Sequence, residues 1–276
     1  MLISKVGRFW SSNEPSRYTM GENIEMEFNT FSTDVKVGYN QVDSSGHLKA
    51  LSAIQLLEEA AIENCSSIDR NVFTLLQEGY GWVLRGGAIQ YIRYPSYADS
   101  LIIKTWISKW TILQGFREFV VLDSRKETCV RATTGWAFID VNKRRPVPIP
   151  DVFKEKWAYC QEKAFAAPLL KRPLPISEKF ISEAFHIRRT DIDSNKHVHN
   201  VRYAEWVLET IPIEYDVKYQ MESLEGAFLQ EARFEDLIEV RVEKVNETEL
   251  IHNVIRKGDN AVLTTGHSRW QKKQAD

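Results

Sequence analysis

Asp193, Asn195 and His197 stand at alternate positions in the stretch Asp191-Ile192-Asp193-Ser194-Asn195-Lys196-His197-Val198-His199-Asn200. A carboxylate, an amide and an imidazole this close together can move a proton, donate to an oxygen and fix a tautomer. Just after them, Val201, Ala204, Val207 and Leu208 recur at three- and four-residue spacing, which predicts a helix over 200–211. Asn200 reads as its N-cap. The polar groups therefore sit at the mouth of a helix, where unpaired N–H groups and a partial positive charge suit a developing oxyanion. Asp, Asn and Ser before a helix are also ordinary caps and turn formers, so the spacing alone does not decide for chemistry.

What must position these residues is set by an internal repeat. Val42-Asp43-Ser44-Ser45-Gly46-His47-Leu48 lies over Ile192-Asp193-Ser194-Asn195-Lys196-His197-Val198 at an offset of 150 residues. Asp43 falls on Asp193, His47 on His197 and Glu59 on Glu209, while Ser45 stands in place of Asn195. A strand-like run over 24–37 precedes the first copy, and an amphipathic helix over about 49–66 follows it. Strand-like runs then occupy 82–94, 100–109, 116–123 and 128–140, answered by 226–234, 237–245, 249–257 and 261–271 in the second half. Thr133-Thr134-Gly135-Trp136 matches Thr264-Thr265-Gly266-His267. Between the halves, Pro146, Pro148 and Pro150 end the first sheet, 152–166 reads as a helix, and Pro168, Pro173 and Pro175 make an extended linker.

A helix with one apolar face needs a sheet to cover it, and two such units can pair their sheets edge to edge. The expected fold is α+β, a tandem (double) hotdog: two antiparallel sheets, each wrapping a long helix. The expected division is 1–150 for the N-terminal hotdog, 151–180 for the linker and 181–276 for the C-terminal hotdog.

Composition narrows the function classes. The chain has 276 residues, 43% hydrophobic and 27% charged, with a formal net charge of −2. That suits a globular protein with a sizeable core and gives no global drive toward nucleic acid or a membrane surface. Residues 1–25 lack the apolar core of a signal peptide, and no run approaches the ~18 apolar residues of a membrane-spanning helix. Cys65, Cys129 and Cys160 form no CxxC motif, which argues against a disulfide framework or zinc site and fits the cytoplasm. No metal or cofactor is expected.

The residues 191–209 closely resemble the DxDxNxHVNNxxYxxWxLE signature of the plant and bacterial acyl-acyl carrier protein thioesterases, with His199 where the family has Asn. Ala132-Thr133-Thr134-Gly135-Trp136 with Asn142-Lys143-Arg144-Arg145-Pro146 resembles the tryptophan strand and double-arginine turn that close the family's first hotdog. Phe228-Leu229-Gln230-Glu231-Ala232-Arg233 resembles its YRREC segment. The resemblance covers roughly residues 25–271 and implies a catalytic set of Asp193, Asn195, His197 and Glu231. Ala232 stands where many plant members carry a cysteine, so a thiol nucleophile is excluded there and a water route is favoured.

The activity so implied is hydrolysis of fatty acyl-acyl carrier protein (acyl-ACP) to free fatty acid and holo-ACP, terminating fatty acid synthesis. Glu231 or His197 takes the water's proton, Asn195 serves the carbonyl or the nucleophile, and Asp193 fixes the loop and the imidazole. The first half keeps Asp43 and His47 but has no carboxylate near 87–91, where the counterpart of the Glu231 strand is expected, so it reads as catalytically decayed. It then serves as the acyl-chain pocket, with Leu56, Trp82, Ile89 and Trp106 as candidate walls. Phe228, Leu229 and Ala232 predict an apolar setting for Glu231. The partner is the acyl carrier protein, with Lys143-Arg144-Arg145 and Lys171-Arg172 as basic clusters that could meet it; a homodimer stays open. The alternatives are an acyl-CoA thioesterase and a non-catalytic acyl-binding hotdog protein.

Overall fold

The computed structural model describes residues 30–167, 169–194 and 196–273. The first half runs β1 (Phe31–Lys36), a 3-10 turn (Tyr39–Gln41), α1 (Ala50–Ser66), α2 (Val72–Gln77), β2 (Tyr80–Tyr91), β3 (Ser100–Trp110), β4 (Gln114–Leu122), β5 (Thr128–Asp140) and the short β6 (Arg145–Pro146). After α3 (Asp151–Lys156) the second half repeats the plan: β7 (Ile181–His186), a 3-10 turn (Arg189–Asp191), α4 (Asn200–Thr210), α5 (Ile213–Lys218), β8 (Tyr219–Phe228), β9 (Leu237–Asn246), β10 (Glu249–Arg256) and β11 (Ala261–Lys272).

The strands form one sheet in the order β1-β3-β4-β5-β2-β8-β11-β10-β9-β7, with β6 added to β5. Each half contributes five consecutive strands in the same internal order, mirrored across the β2–β8 seam. The two expected sheets are thus joined edge to edge, and α1 and α4 each pack on strands of their own half. At the seam Gly87 lies opposite Gly226, and Gly86 opposite Ala227. A Cβ on Gly86 would come within 2.6 Å of the Gly226 carbonyl oxygen, so the seam admits no side chain there.

α1 buries Ala53, Leu57, Ala60, Ala61 and Cys65, and α4 buries Val201, Tyr203, Trp206 and Val207, each on one stripe. The main core is continuous through both halves, from Leu57, Ile89 and Phe119 to Val207, Ile238 and Leu263. A second cluster under β2 and β5 holds Phe138, Phe153 and Trp157, with the Phe153 and Trp157 rings 4.8 Å apart.

Three expectations need correction. The helix read over 152–166 ends at Lys156. Trp157 plugs the aromatic cluster, and the chain beyond it pairs with β3: Ile107 N–H donates to Ala158 O at 2.9 Å and Cys160 N–H to Ile107 O at 3.0 Å. The strand placed at 226–234 is Tyr219–Phe228, so Glu231 follows the strand end. The Leu229 and Gln230 N–H groups both turn to Leu263 O, which breaks the ladder. His199, not Asn200, occupies the N-cap position of α4, with no side-chain cap. Of the strand read over 24–37, Phe31–Lys36 is observed, and 24–29 lie outside the described residues, as does Pro168 of the linker.

Candidate active site

The turn ahead of α4 is built by its own backbone. Asp193 N–H donates to His197 O at 2.8 Å, and His197 N–H donates back to Asp193 Oδ1 at 3.1 Å. Lys196 takes the left-handed conformation, at φ 61°, that closes this tight loop. Beneath it Asp191 is fully buried and accepts from Arg188 N–H at 2.7 Å, with the Arg188 and Arg202 guanidinium groups beside it. A buried carboxylate persists only when paired in this way. Asp193 thus acts on the main chain that carries His197.

Glu231 is brought to the same turn by the loop between β8 and β9. Its Oε2 lies 3.2 Å from His197 Nε2. That loop is tied down twice: Ala232 N–H donates to the Tyr203 hydroxyl of α4 at 2.8 Å, and Arg256 Nη1 donates to Glu231 O at 3.2 Å. Asp193, His197 and Glu231 border one open cleft of about 1180 Å³. Asn195 lies outside the described residues. The first N–H groups of α4 start where this cleft meets the helix, since Asn200 is also in its wall.

The electrostatics depart from expectation. Glu231 is not enclosed by apolar groups; its side chain is 37% exposed and forms an ion pair with Arg144, which arrives from the β5–β6 turn of the first half. Arg144, expected as a docking charge, reaches across the halves into the cleft instead. Lys143 pairs with Asp140 at 3.1 Å in the same turn. Burial lowers the His197 imidazole below its ordinary value; Asp193 opposes this, and Arg144 and Arg233 add to it. That direction favours the neutral imidazole, against the pull of the Glu231 carboxylate beside it.

The counterpart of Glu231 in the first half is not within 87–91. Ile92 and Arg93 N–H both donate to Cys129 O, as Leu229 and Gln230 do to Leu263 O. Tyr94 therefore matches Glu231, and its hydroxyl donates to Met221 O at 2.7 Å.

An apolar cavity of about 160 Å³ adjoins the cleft, walled by Ile54, Leu57, Ile89, Val201, Val207 and Leu224 from both halves. Of the expected pocket residues, Ile89 lines this cavity and Trp82 lines the cleft. Leu56 packs against the main core, and Trp106 is buried in a third, separate cluster. Cys129 is wholly buried and its thiol is pushed up to about 11, mainly by burial. Ala232 is buried beside Glu231.

Comparison with known proteins decides the family. The Acyl-ACP thioesterase N-terminal domain matches residues 28–157 and the Acyl-ACP thioesterase C-terminal domain residues 176–272. The chain belongs to the acyl-ACP thioesterase family. The oleoyl-acyl carrier protein thioesterase 1 of Arabidopsis thaliana is 26% identical over 219 residues, 70% of this chain and 60% of that one. The palmitoyl-acyl carrier protein thioesterase of Gossypium hirsutum is 26% identical over 254 residues, 79% of this chain and 58% of that one. The chain thus spans about 60% of the length of such relatives.

Among solved structures, an acyl-ACP thioesterase from Bacteroides thetaiotaomicron superposes with a TM-score of 0.79 at 24% identity, covering 88% of this chain and 98% of that one. The 12:0-ACP thioesterase of Umbellularia californica gives 0.79 at 18%, covering 88% and 98%. These likenesses establish the double hotdog fold.

Sequence reasoning missed Arg144 as a site residue, and missed Tyr203 and Arg256 as anchors of the Glu231 loop. Tyr203 carried a signal: it is a hydroxyl on the apolar stripe of α4, and buried hydroxyls need a partner.

Proposed function

We propose that this chain hydrolyses the thioester of fatty acyl-ACP to free fatty acid and holo-ACP, using Asp193, Asn195, His197 and Glu231. The observation that carries the reading is the 3.2 Å contact between His197 and Glu231, in a cleft beside an apolar cavity, on a chain of this family. A neutral His197 with its proton on Nε2 donates to Glu231. A carboxylate offers about four acceptor positions, so contacts to His197 and Arg144 leave room for a water. Glu231 takes a proton from that water as its oxygen attacks the thioester carbonyl carbon. The oxyanion is met by the first N–H groups of α4, with Asn195 as a further donor. Collapse of the tetrahedral intermediate breaks the C–S bond, and the leaving thiolate takes up the proton.

The division of labour in this reading follows the halves: 1–150 shapes the acyl pocket, 151–180 links, and 181–276 carries the catalytic groups. The acyl carrier protein docks at the cleft rim, where the exposed Arg145 supplies positive charge beside Arg144, whose own charge is taken up by Glu231. The plant relatives are named chloroplastic; for this chain the cytoplasm is proposed, in keeping with its free cysteines.

The test is a panel of acyl-ACP and acyl-CoA thioesters offered to the purified chain, with release of free thiol as the readout. Hydrolysis of acyl-ACP in preference to the matching acyl-CoA supports the reading. Equal or faster hydrolysis of acyl-CoA assigns the chain to coenzyme A thioesters, and binding without release makes it an acyl-binding protein.

A further inference from the structure

A second cavity lies beyond the apolar one, and a single carboxyl stands between them. It has about 150 Å³, is walled on the first-half side by Leu75, Trp82, Ile107, Trp110 and Trp157 with the buried guanidinium of Arg117, and reaches Asp193, Ser194 and His199 of the turn before α4. Glu58, Trp136 and Asn200 line both cavities. Glu58 is the ionisable member of that trio. Its Oε2 lies 3.2 Å from Nε2 of His199, and its side chain is 18% exposed. The pair joins α1 of the first half to the turn that carries the candidate site.

A carboxyl in this wall needs a reason. The repeat matches Glu58 with Leu208 of α4, where the same helix face is apolar. Leucine would suit the stripe on α1 and add no buried polar group. Burial pushes the Glu58 carboxyl above its usual range, with His199 opposing and Asp193 and Glu59 adding to the rise. An alkyl chain advancing past Glu58 would part it from His199 and leave a buried polar group unsatisfied, which is costly. A leucine there could swing aside at little cost. The resemblance places Asn at position 199, so the imidazole that holds Glu58 is a feature of this chain.

We propose that Glu58, held by His199, is a specificity-determining residue: it closes the apolar cavity toward the tryptophan-lined one and so sets the longest acyl chain accepted. The inference rests on the thioesterase reading above. Removing the carboxyl joins the two cavities and admits a longer chain.

The test compares wild type, Glu58→Ala and Glu58→Gln as full-length chains on saturated acyl-ACP substrates of graded length. In Glu58→Ala, kcat/KM for a substrate two methylenes beyond the wild-type limit should rise about tenfold relative to the preferred wild-type substrate, the effect of burying two more methylenes. Glu58→Gln keeps the volume and a hydrogen bond to His199, so its profile should match wild type. An unchanged ratio in a folded Glu58→Ala, or the same lengthening in Glu58→Gln, overturns the proposal. A parallel arm needs no turnover: quenching of tryptophan fluorescence by free fatty acids of graded length, since Trp82, Trp110, Trp136 and Trp157 line the second cavity. There Glu58→Ala should bind the longer acids about tenfold more tightly, and no gain overturns the partition. If wild type binds fatty acids but releases no thiol from acyl-ACP, the thioesterase reading fails while the binding arm still decides on Glu58. Should Glu58→Ala melt early, Glu58→Ser and His199→Ala carry the same comparison.

Discussion

The turn before α1 and the turn before α4 share one backbone and differ in chemistry. Asp43 N–H donates to His47 O at 2.8 Å, as Asp193 N–H does to His197 O. His47 N–H reaches Asp43 Oδ1 at 3.0 Å, against 3.1 Å in the second turn. Gly46 and Lys196 are both left-handed, and Gln41 accepts the Gly38 N–H as Asp191 accepts that of Arg188. The Asp is therefore a rule for building this turn, which uses only the backbone of the histidine and which the first half keeps although it has no carboxylate at the matching loop position. What separates the two is the residue delivered after the central strand. Tyr94 turns its hydroxyl to a carbonyl, while Glu231 turns its carboxylate to an imidazole. A motif shared by both halves reports fold, and the group present in only one of them points to function.

The sharpest way to break this contrast is to remove each of the two matched side chains. Glu231→Ala should lower turnover of acyl-ACP about a hundredfold or more, the usual weight of a positioned base. Tyr94→Phe should leave turnover within a few-fold and lower stability by about 1 kcal/mol, one hydrogen bond. Comparable losses from both would mean that the first turn also contributes to catalysis.

The second contrast is acid sensitivity. His252 on β10 is fully buried, and its imidazole is pushed down to about 3, by burial first and by His267 second. The first half has Phe119 at the matching place: with Cys129 set over Leu263, Phe119 lies opposite Ala132 as His252 lies opposite Gly266, and both line the apolar cavity. An unfolded histidine titrates near 6.5, so the unfolded chain takes up this proton first. The His252 contribution is intact above pH ~6.5 and falls by about 1.4 kcal/mol per unit down to pH ~3. Chemical denaturation at pH 7 and pH 5 should show a loss of about 2 kcal/mol from this group. His252→Gln should remove that part of the slope, and an unchanged slope would show that His252 does not carry it.

The smallest expected effect concerns the turn itself. Asp43 Oδ1 accepts from Ser45 N–H at 2.8 Å and from His47 N–H at 3.0 Å. Asp43→Ala should cost about 1–2 kcal/mol in thermal or denaturant unfolding, the weight of a lost cap, with turnover per folded molecule unchanged. Asp193→Ala should cost a similar amount of stability and lose turnover as well, because the loop it fixes carries His197.

Much of this was legible in the chain. α4 falls on Asn200–Thr210 against an expected 200–211, and β5 is Thr128–Asp140 at both ends. Both are long and strongly patterned, with turn residues at their borders. The observed end of β8 falls short of the expected one because Phe228 and Leu229 extend its apolar look, while the ladder is broken by backbone bonds to Leu263 O that no side chain announces. The connector departs from the expected helix because Trp157 and a parallel pairing with β3 override local helical preference. Arg144 and the Glu58–His199 contact were out of reach for another reason. Each joins the two halves, and a repeat read within one chain says little about what crosses between its copies.

The most direct test of the central claim is the turnover of Glu231→Gln on an acyl-ACP substrate, read against Cys65→Ala, Cys129→Ala and Cys160→Ala. Glutamine keeps the shape that Tyr203 and Arg256 hold in place but cannot take a proton. The account predicts a loss of about a hundredfold or more in Glu231→Gln, nearly that of Glu231→Ala, with all three cysteine variants turning over normally. Near-normal turnover in Glu231→Gln would contradict it, making Glu231 a positioning residue and passing the role of base to His197.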